Sequence, residues 1–485
     1  MRHVLTLLLL LLTMAVAAEE EMRPSMNCRR TLPVVRQQSR RAITRASARV
    51  GGDFYHGERR QLTVLVSFND QQFTEQDPVP TWNRIFNAEN YTEPPFKGSV
   101  HDYFYAQSYG QFEVAFDLCY LSLAHDRSRY RSTSVEDENS QYLVADIVEL
   151  LRNMDMDWSQ YDWDGDGYVN QLLIVFAGKG SSYGNFGGGY DAIWPHQSLL
   201  SEHIDPATGS NCLPCVVTDR YGVEYMIDSY CAVQELDTDG SYGIFGTICH
   251  EYTHCFGFPD LYAGKLALGA WDLMASGNYN GSGFCPAGFS AHERWLMGWI
   301  TPEELSAPAS IIGMPMLDTN AAAYLIRNDA YADEYYVVEN RQQSGWDASL
   351  PGSGLLVFHI DYDAEAWYTN NTNTGTQDRY TIFRASNGSG GTSSWPYPYK
   401  GNNQLTDTSQ PAATLNHANA SGTWRMGKPL TNMAVADGLA SFDFMGGQTA
   451  IQSPSSGLHP RLLYDFGPVR IVRMPNGDIK KVMKR

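Results

Sequence analysis

The chain has 485 residues, a formal net charge of −19, 18% charged side chains, 29 tyrosines and 11 tryptophans. Such a chain is long and apolar enough to bury a large core spread over two or three domains. Its negative balance favours solubility and argues against nucleic acid or an anionic membrane as the main partner.

The N-terminus carries a short basic head, MRH, and then an apolar run from Val4 to Ala15. That run has the length of a signal-peptide core and is too short for a membrane span, and the small residues of AVAA predict cleavage after Ala17 or Ala18. No cysteine follows the cleavage point, which argues against a lipoprotein anchor. No other apolar run reaches about 18 residues, so no membrane span is expected and the mature chain should be exported and soluble. Residues 19–57 are rich in arginine and lack apolar periodicity, the pattern of a propeptide or flexible leader. Basic cleavage points lie at Arg40, Arg41, Arg45 and Arg49, and one variant of this reading has the Cys28 thiolate capping a catalytic metal. Eight cysteines permit disulfides in an exported chain, although a domain of this size folds without them. Cys212 and Cys215, in CLPC, have no second CxxC to complete a zinc knuckle, and read as a loop disulfide or two free thiols.

Ordered structure is expected from RQLTVLVSFND, where Leu62, Val64 and Val66 mark a buried strand. Val100 to Ser108 reads as a helix broken at Gly110, Phe112 to Leu123 as a strand, and SQYLVADIVELLRNMD as a helix with Leu143, Ile147, Leu150 and Leu151 on one face. NQLLIVFAGKG is a short apolar strand. Mixed helices and strands around one sheet indicate an α+β or α/β domain over residues 58–300.

Before that last strand lies YDWDGDGYVN. Asp162, Asp164 and Asp166 are spaced by two, with Gly167 at the sixth loop position, like the first half of a calcium loop. Tyr168 would offer its carbonyl and Asn170 the ninth ligand, but the twelfth position is Leu173 rather than Glu, and a strand follows where an EF-hand has a helix. The alternatives are a structural Ca2+ with an incomplete or borrowed ligand set and a metal-free acidic turn.

The segment GIFGTICHEYTHCFGFPDLY predicts a helix from about Gly246 to Phe256. At about 100° per residue, His250 and His254 lie only about 40° apart, with Glu251 to one side. Two imidazole nitrogens and a nearby carboxylate are what a zinc hydrolase needs. Cys249 and Cys255 fall about 100° or more from the pair and should miss the metal. Gly257 can stop the helix in a left-handed conformation, so that Asp260 returns as a third ligand and leaves a fourth position for water. An ordinary core helix would leave these buried polar groups in need of partners.

The pattern HExxHxxGxxD at His250–Asp260, followed by WDLMASGNYNGSG and PAGFSAHERWLMGW, resembles the immune-inhibitor-A-like zinc peptidases, family six of the metallopeptidases. RQLTVLVSFND, GSVHDYFYAQSYGQF, YDWDGDGYVNQLLIVFAG, DAIWPH and YYVVENRQQSGWDASLPGSGLLVFHID fit in the same order, so the likeness runs from about Arg60 to about Gly447. It implies a zincin or metzincin-like fold with a mixed sheet and an active-site helix. It also implies His250, His254 and Asp260 as Zn2+ ligands, Glu251 as general base and acid, and Met274 in a methionine turn. Asp260 stands where metzincins usually carry a histidine. Tyr262, Tyr279, His196 and His292 read as packing or hydrogen-bonded residues rather than site groups.

After Thr301-Pro302 the pattern turns to strands, at Tyr335–Glu339, Leu355–Asp361, Tyr380–Arg384 and Leu439–Phe444, which predicts a β-rich C-terminal domain over 301–447. His359 and Asp361 share a strand face and read as a hydrogen-bonded pair rather than a second metal site. YTNNTNTGTQ and SNGSGGTSS read as polar, mobile loops. Residues 448–485 comprise a linker and a hairpin turning at Asn476-Gly477, similar to carboxy-terminal sorting domains of some Gram-negative secretion systems. The sequence therefore predicts a secreted, monomeric, proenzyme-type zinc endopeptidase acting on protein or peptide substrates, held at the cell surface if the tail is a sorting signal. The alternative is an exported binding protein on a peptidase scaffold, which the intact Glu251 disfavours.

Overall fold

The computed structural model describes residues 55–131, 139–181, 193–205, 208–264, 267–375 and 377–447, and the backbone of four short strands beyond them. The segment read as a signal peptide, the stretch read as a basic leader with Cys28 up to residue 54, and the expected Asn476-Gly477 turn lie outside the described residues.

The architecture begins with a five-stranded sheet of β1 (Gly57–Ser67), β2 (Phe112–Ser122), β3 (Leu172–Lys179), β4 (His196–Leu199) and β5 (Ser229–Leu236), in spatial order β2-β1-β3-β5-β4. All neighbours are parallel except the edge strand β4, which runs antiparallel to β5 with Ala232 opposite His196. Parallel strands need both faces covered, which is why β1 and β3 read as near-continuous apolar runs. Alternate residues serve two cores. Leu65, Leu173, Val175 and Val233 pack with the helices α1 (Val79–Asn87), α2 (Val100–Gln107) and α4 (Phe245–His254). Val64, Val66, Ile174 and Phe176 face α3 (Ser140–Leu151). The buried stripe of α3 is Leu143, Val144, Ile147, Val148 and Leu151. Leu150, expected on that face, is 37% exposed, because it sits about 90° round from the centre of the stripe.

Beyond residue 300, two further sheets stack. One orders strands Glu303–Glu304, Tyr324–Arg327, Glu334–Arg341, Gly354–Asp361 and Tyr380–Ile382; the other orders Leu430–Ala436, Leu439–Phe444, Ala309–Met314 and Ala450–Gln452. The Tyr380 strand stops at Ile382 rather than Arg384. Tyr336, Val338, Leu355 and Val357 pack on Ile311, Met314, Phe442 and Phe444 of the second sheet. The opposite face, with Tyr335, Val337, Leu356 and Phe358, packs on Leu273, Met274, Ala291 and Leu296, so one apolar core runs without a break across residue 300.

Buried charge reinforces that junction. Arg341 is fully buried and donates to both oxygens of Asp347 at 2.6 Å, to Glu339 at 3.0 Å and to the Gly288 carbonyl at 2.9 Å. Glu339 accepts from the Ala291 N–H at 2.6 Å, at the start of α5 (Ala291–Leu296). His359 and Asp361 do not pair with each other as expected. His359 binds Glu334 at 2.7 Å, while Asp361 takes Arg379 at 2.9 Å and His417 at 3.2 Å, since in the antiparallel register other carboxylates and cations lie closer. All seven described cysteines, Cys212 and Cys215 included, are free thiols. No described helix is long and apolar enough to cross a membrane.

The α2 start shows how local sequence sets the frame. Ser99 and Asp102 form a reciprocal capping box, and Asp102 also accepts from the N–H groups of Asn90 at 2.9 Å and Tyr91 at 2.8 Å. Partial burial raises the Asp102 pKa, but the His101 ring and the three backbone donors outweigh this and hold it at about 2. A carboxyl with a depressed folded-state pKa stabilises the fold fully above its unfolded value, and loses that contribution as pH falls toward about 2. Asp102→Ala is expected to cost about 2–3 kcal/mol in urea unfolding at pH 7, shrinking on acidification. Equal midpoints for the two proteins at pH 7 would show that these hydrogen bonds carry no net stability.

Candidate metal centre

Every residue of α4 is buried, so its polar side chains are placed by partners rather than by water. Its start sits close against a neighbouring segment: the Gly246 N–H donates to the Gly283 carbonyl at 2.8 Å, and a Cβ at Gly246 would lie 1.8 Å from the Asn278 carbonyl oxygen. The helix ends at His254, with Cys255 as its cap, and Gly257 takes φ +94. That left-handed turn costs glycine nothing and sends the chain back across the helix face.

The return brings three residues together. His250 Nε2 lies 3.3 Å and His254 Nε2 3.2 Å from Asp260 Oδ1, and the two Nε2 atoms are 3.2 Å apart. All three residues are buried. The outer nitrogens fix the tautomers: His250 Nδ1 donates to the Leu273 carbonyl at 2.8 Å, and His254 Nδ1 to the Phe258 carbonyl at 2.7 Å. With their protons on Nδ1, neutral rings turn bare Nε2 lone pairs toward an Asp260 oxygen that has no hydrogen-bond donor among the described residues. Three acceptors cannot share so small a space without a cation between them.

The pKa shifts reflect that demand. Burial lowers the His250 pKa, but its contact with Asp260 and the charges of Glu251 and Asp260 raise it to about 9. Burial raises the Asp260 pKa, yet the two histidines drive it far below the usual carboxylate range. A metal meets the same demand. Ligands about 2.0–2.1 Å from a tetrahedral zinc are about 3.3 Å apart, and the three edges here are 3.2–3.3 Å. The residues therefore fit such an ion, and they form a histidine-rich group able to hold a metal.

Neighbouring candidates take distinct places. Glu251 is 2% exposed, near enough for its charge to act on His250. Cys249 packs in the core, and the Cys255 thiol faces the Glu251 carbonyl at 3.9 Å, so neither joins the group. Met274 is fully buried, its N–H donates to Asp272 at 2.8 Å, and its carbonyl accepts from Leu261 at 2.7 Å. The preceding carbonyl, Leu273, is the one that orients His250. His292 and His196 are core residues bonded to the Tyr335 and Tyr230 hydroxyls.

Asn370 is the residue that sequence reasoning missed. Its side-chain amide nitrogen donates to Asp260 Oδ2 at 2.7 Å, and its oxygen accepts from the Asp260 N–H at 2.6 Å. It belongs to the loop read as polar and mobile, yet Thr372 and Asn373 of that loop are buried. Only a fold-level contact links Asn370 to Asp260; the one local hint is an asparagine at φ +55, a conformation that type tolerates.

The acidic loop gathers Asp162, Asp164 and Asp166, with one ligand atom from each within 4.8 Å of the others. Asp162 also accepts from the N–H groups of Gly165 at 2.8 Å and Gly167 at 3.0 Å, and Asp166 from that of Tyr168 at 2.9 Å. Asn170 accepts from the Trp163 N–H, and Leu173 is buried in β3.

A mixed sheet covered by helices, with a helix-borne histidine pair and a returning carboxylate able to hold a metal, is compatible with a peptidase catalytic domain. Residues 61–299, just under half of the chain, match the model of the immune inhibitor A peptidase M6 catalytic domain. A curated relative, Immune inhibitor A of Bacillus thuringiensis subsp. alesti, is 26% identical over 285 aligned positions, covering 50% of this chain and 40% of its own. The chain thus spans about two fifths of that relative's length.

Gly246→Ala is expected to lose about 3 kcal/mol or more in urea unfolding of the metal-free protein, because backbone rather than a movable side chain opposes the new methyl. A loss under about 0.5 kcal/mol would mean that α4 can move off the Asn278 carbonyl.

Proposed function

We propose that the protein is a zinc-dependent endopeptidase with a metzincin-like catalytic domain. The observation that carries this is the triangle of His250 Nε2, His254 Nε2 and Asp260 Oδ1 beside Glu251. Two imidazoles and one carboxylate suit zinc, and three protein ligands leave a position open to solvent and substrate. A bound zinc ion supplies Lewis-acid polarisation of the scissile carbonyl and lowers the pKa of water at the site.

The chain's own groups do the rest. His250 and His254 keep their Nδ1 protons on backbone carbonyls, so only the Nε2 lone pairs face inward. Gly257 returns Asp260 to the site, and Met274 forms the turn whose preceding carbonyl orients His250. Glu251 accepts a proton from the attacking water on a carboxylate oxygen and passes it to the departing amine nitrogen. Proteins and peptides are the substrates. We further propose export by the N-terminal signal, removal of the basic leader, and a structural Ca2+ at Asp162, Asp164 and Asp166 with Tyr168 and Asn170.

Glu251→Gln is expected to cut casein hydrolysis by about 10²–10⁴-fold while the protein retains about one zinc. Undiminished cleavage by that variant would remove Glu251 from the mechanism, and cleavage surviving full zinc removal would end the metal reading.

In the zinc-loaded protein, about 1 mM calcium is expected to raise the thermal midpoint by a few degrees, and Asp164→Ala to abolish the rise. A midpoint indifferent to calcium returns the acidic loop to a metal-free turn.

A further inference from the structure

We propose that Asn370 is a positioning residue of the metal centre, so that the chain beyond residue 300 completes a site whose other groups lie between 250 and 274. The inference rests on the zinc reading above.

Each of the three converging side chains is held from behind by one outer partner. For His250 it is the Leu273 carbonyl and for His254 the Phe258 carbonyl, both from the catalytic segment. For Asp260 it is the Asn370 side chain, which grips both the Oδ2 atom at 2.7 Å and the backbone N–H at 2.6 Å. With Oδ2 engaged, Oδ1 alone is left to face the two Nε2 atoms. The amide is the right chemistry for this task. It donates to one carboxylate oxygen without bringing a positive charge that would compete with a metal for the other.

Asn370 is itself fixed. It sits at φ +55, a left-handed conformation open to asparagine and glycine but strained for most residues. The next N–H, of Asn371, donates to the Ala366 carbonyl at 2.8 Å. Buried Asn373 accepts from the Arg379 and Tyr380 N–H groups at 2.9 Å each and donates to the Tyr380 carbonyl at 2.8 Å. The loop that carries Asp260 abuts this one: a Cβ on Gly264 would lie 2.7 Å from the Asn373 carbonyl and 2.6 Å from Asp378. Further along, the Trp271 indole donates to the Thr392 carbonyl at 3.0 Å, and Arg384 to the Ala267 carbonyl at 3.3 Å.

The test compares the full chain with Asn370→Asp and Asn370→Gly. The aspartate keeps the shape and the oxygen acceptor but replaces the donor with charge against Asp260. The glycine keeps the left-handed backbone and removes the side chain. Zinc dissociation constants come from competition with a chromophoric chelator, and urea midpoints are measured on the zinc-stripped proteins. Both variants are expected to bind zinc about 10–100-fold more weakly, with zinc-stripped midpoints that fall too little to account for that loss. Wild-type affinity in both variants overturns the proposal, as does a fall in the zinc-stripped midpoint large enough to account for the weaker binding. Failure of the wild-type chain itself to bind zinc overturns the zinc reading, and this inference with it.

Discussion

Three acceptor atoms stand within 3.3 Å of one another in the interior, and among the described residues no group is placed as a donor to the carboxylate oxygen among them. This concentration of lone pairs is unfavourable unless a cation joins it. The surrounding construction keeps it from relaxing: a helix buried on all sides, two carbonyls that hold the ring protons outward, a left-handed glycine, and an amide that engages the far carboxylate oxygen. Each element is ordinary alone. Together they hold the three side chains through hydrogen bonds that any turn of the rings or the carboxylate would break.

A second buried polar system is linked to the first through Asp272, which feels the charges of both His250 and Arg341. Arg341, Asp347 and Glu339 tie strand Glu334–Arg341 to the start of α5 and to the Gly288 backbone. Next to it, Asp272 is fully buried; burial raises its pKa to about 6, and its carboxylate receives the Met274 N–H. The turn that supports His250 therefore rests on groups whose charges are balanced partly from beyond residue 300. Removing one member of such a network leaves another buried and unpaired, so its parts function as a unit.

Much of this was legible in the sequence where the physics is local. The apolar runs of β1 and β3, the helix carrying His250 and His254, and the stop at Gly257 all follow from periodicity and backbone preference over a few residues. Legibility ended where partners are distant. Asn370 sits in an Asn- and Thr-rich stretch that reads as a solvated loop, and nothing within ten residues reveals that Asp260 is its partner. Likewise β4 has four residues and the sequence HQSL, too short and too polar to declare a strand before β5 is there to pair with it. His359 and Asp361 share a strand face as the alternation implies, but their hydrogen-bond partners come from other segments.

The contact between Asp260 and Asn370 also has a meaning in time. The two residues are 110 positions apart, and a ribosome adding about 5–20 residues per second needs roughly 5–20 seconds to cover that distance. During that interval a growing chain carries both histidines, the glutamate and the returning aspartate, yet lacks the amide that holds the aspartate in place. The order of residues along the chain thus acts as a built-in delay, and the contact between Asp260 and Asn370 forms only after most of the polypeptide has been made.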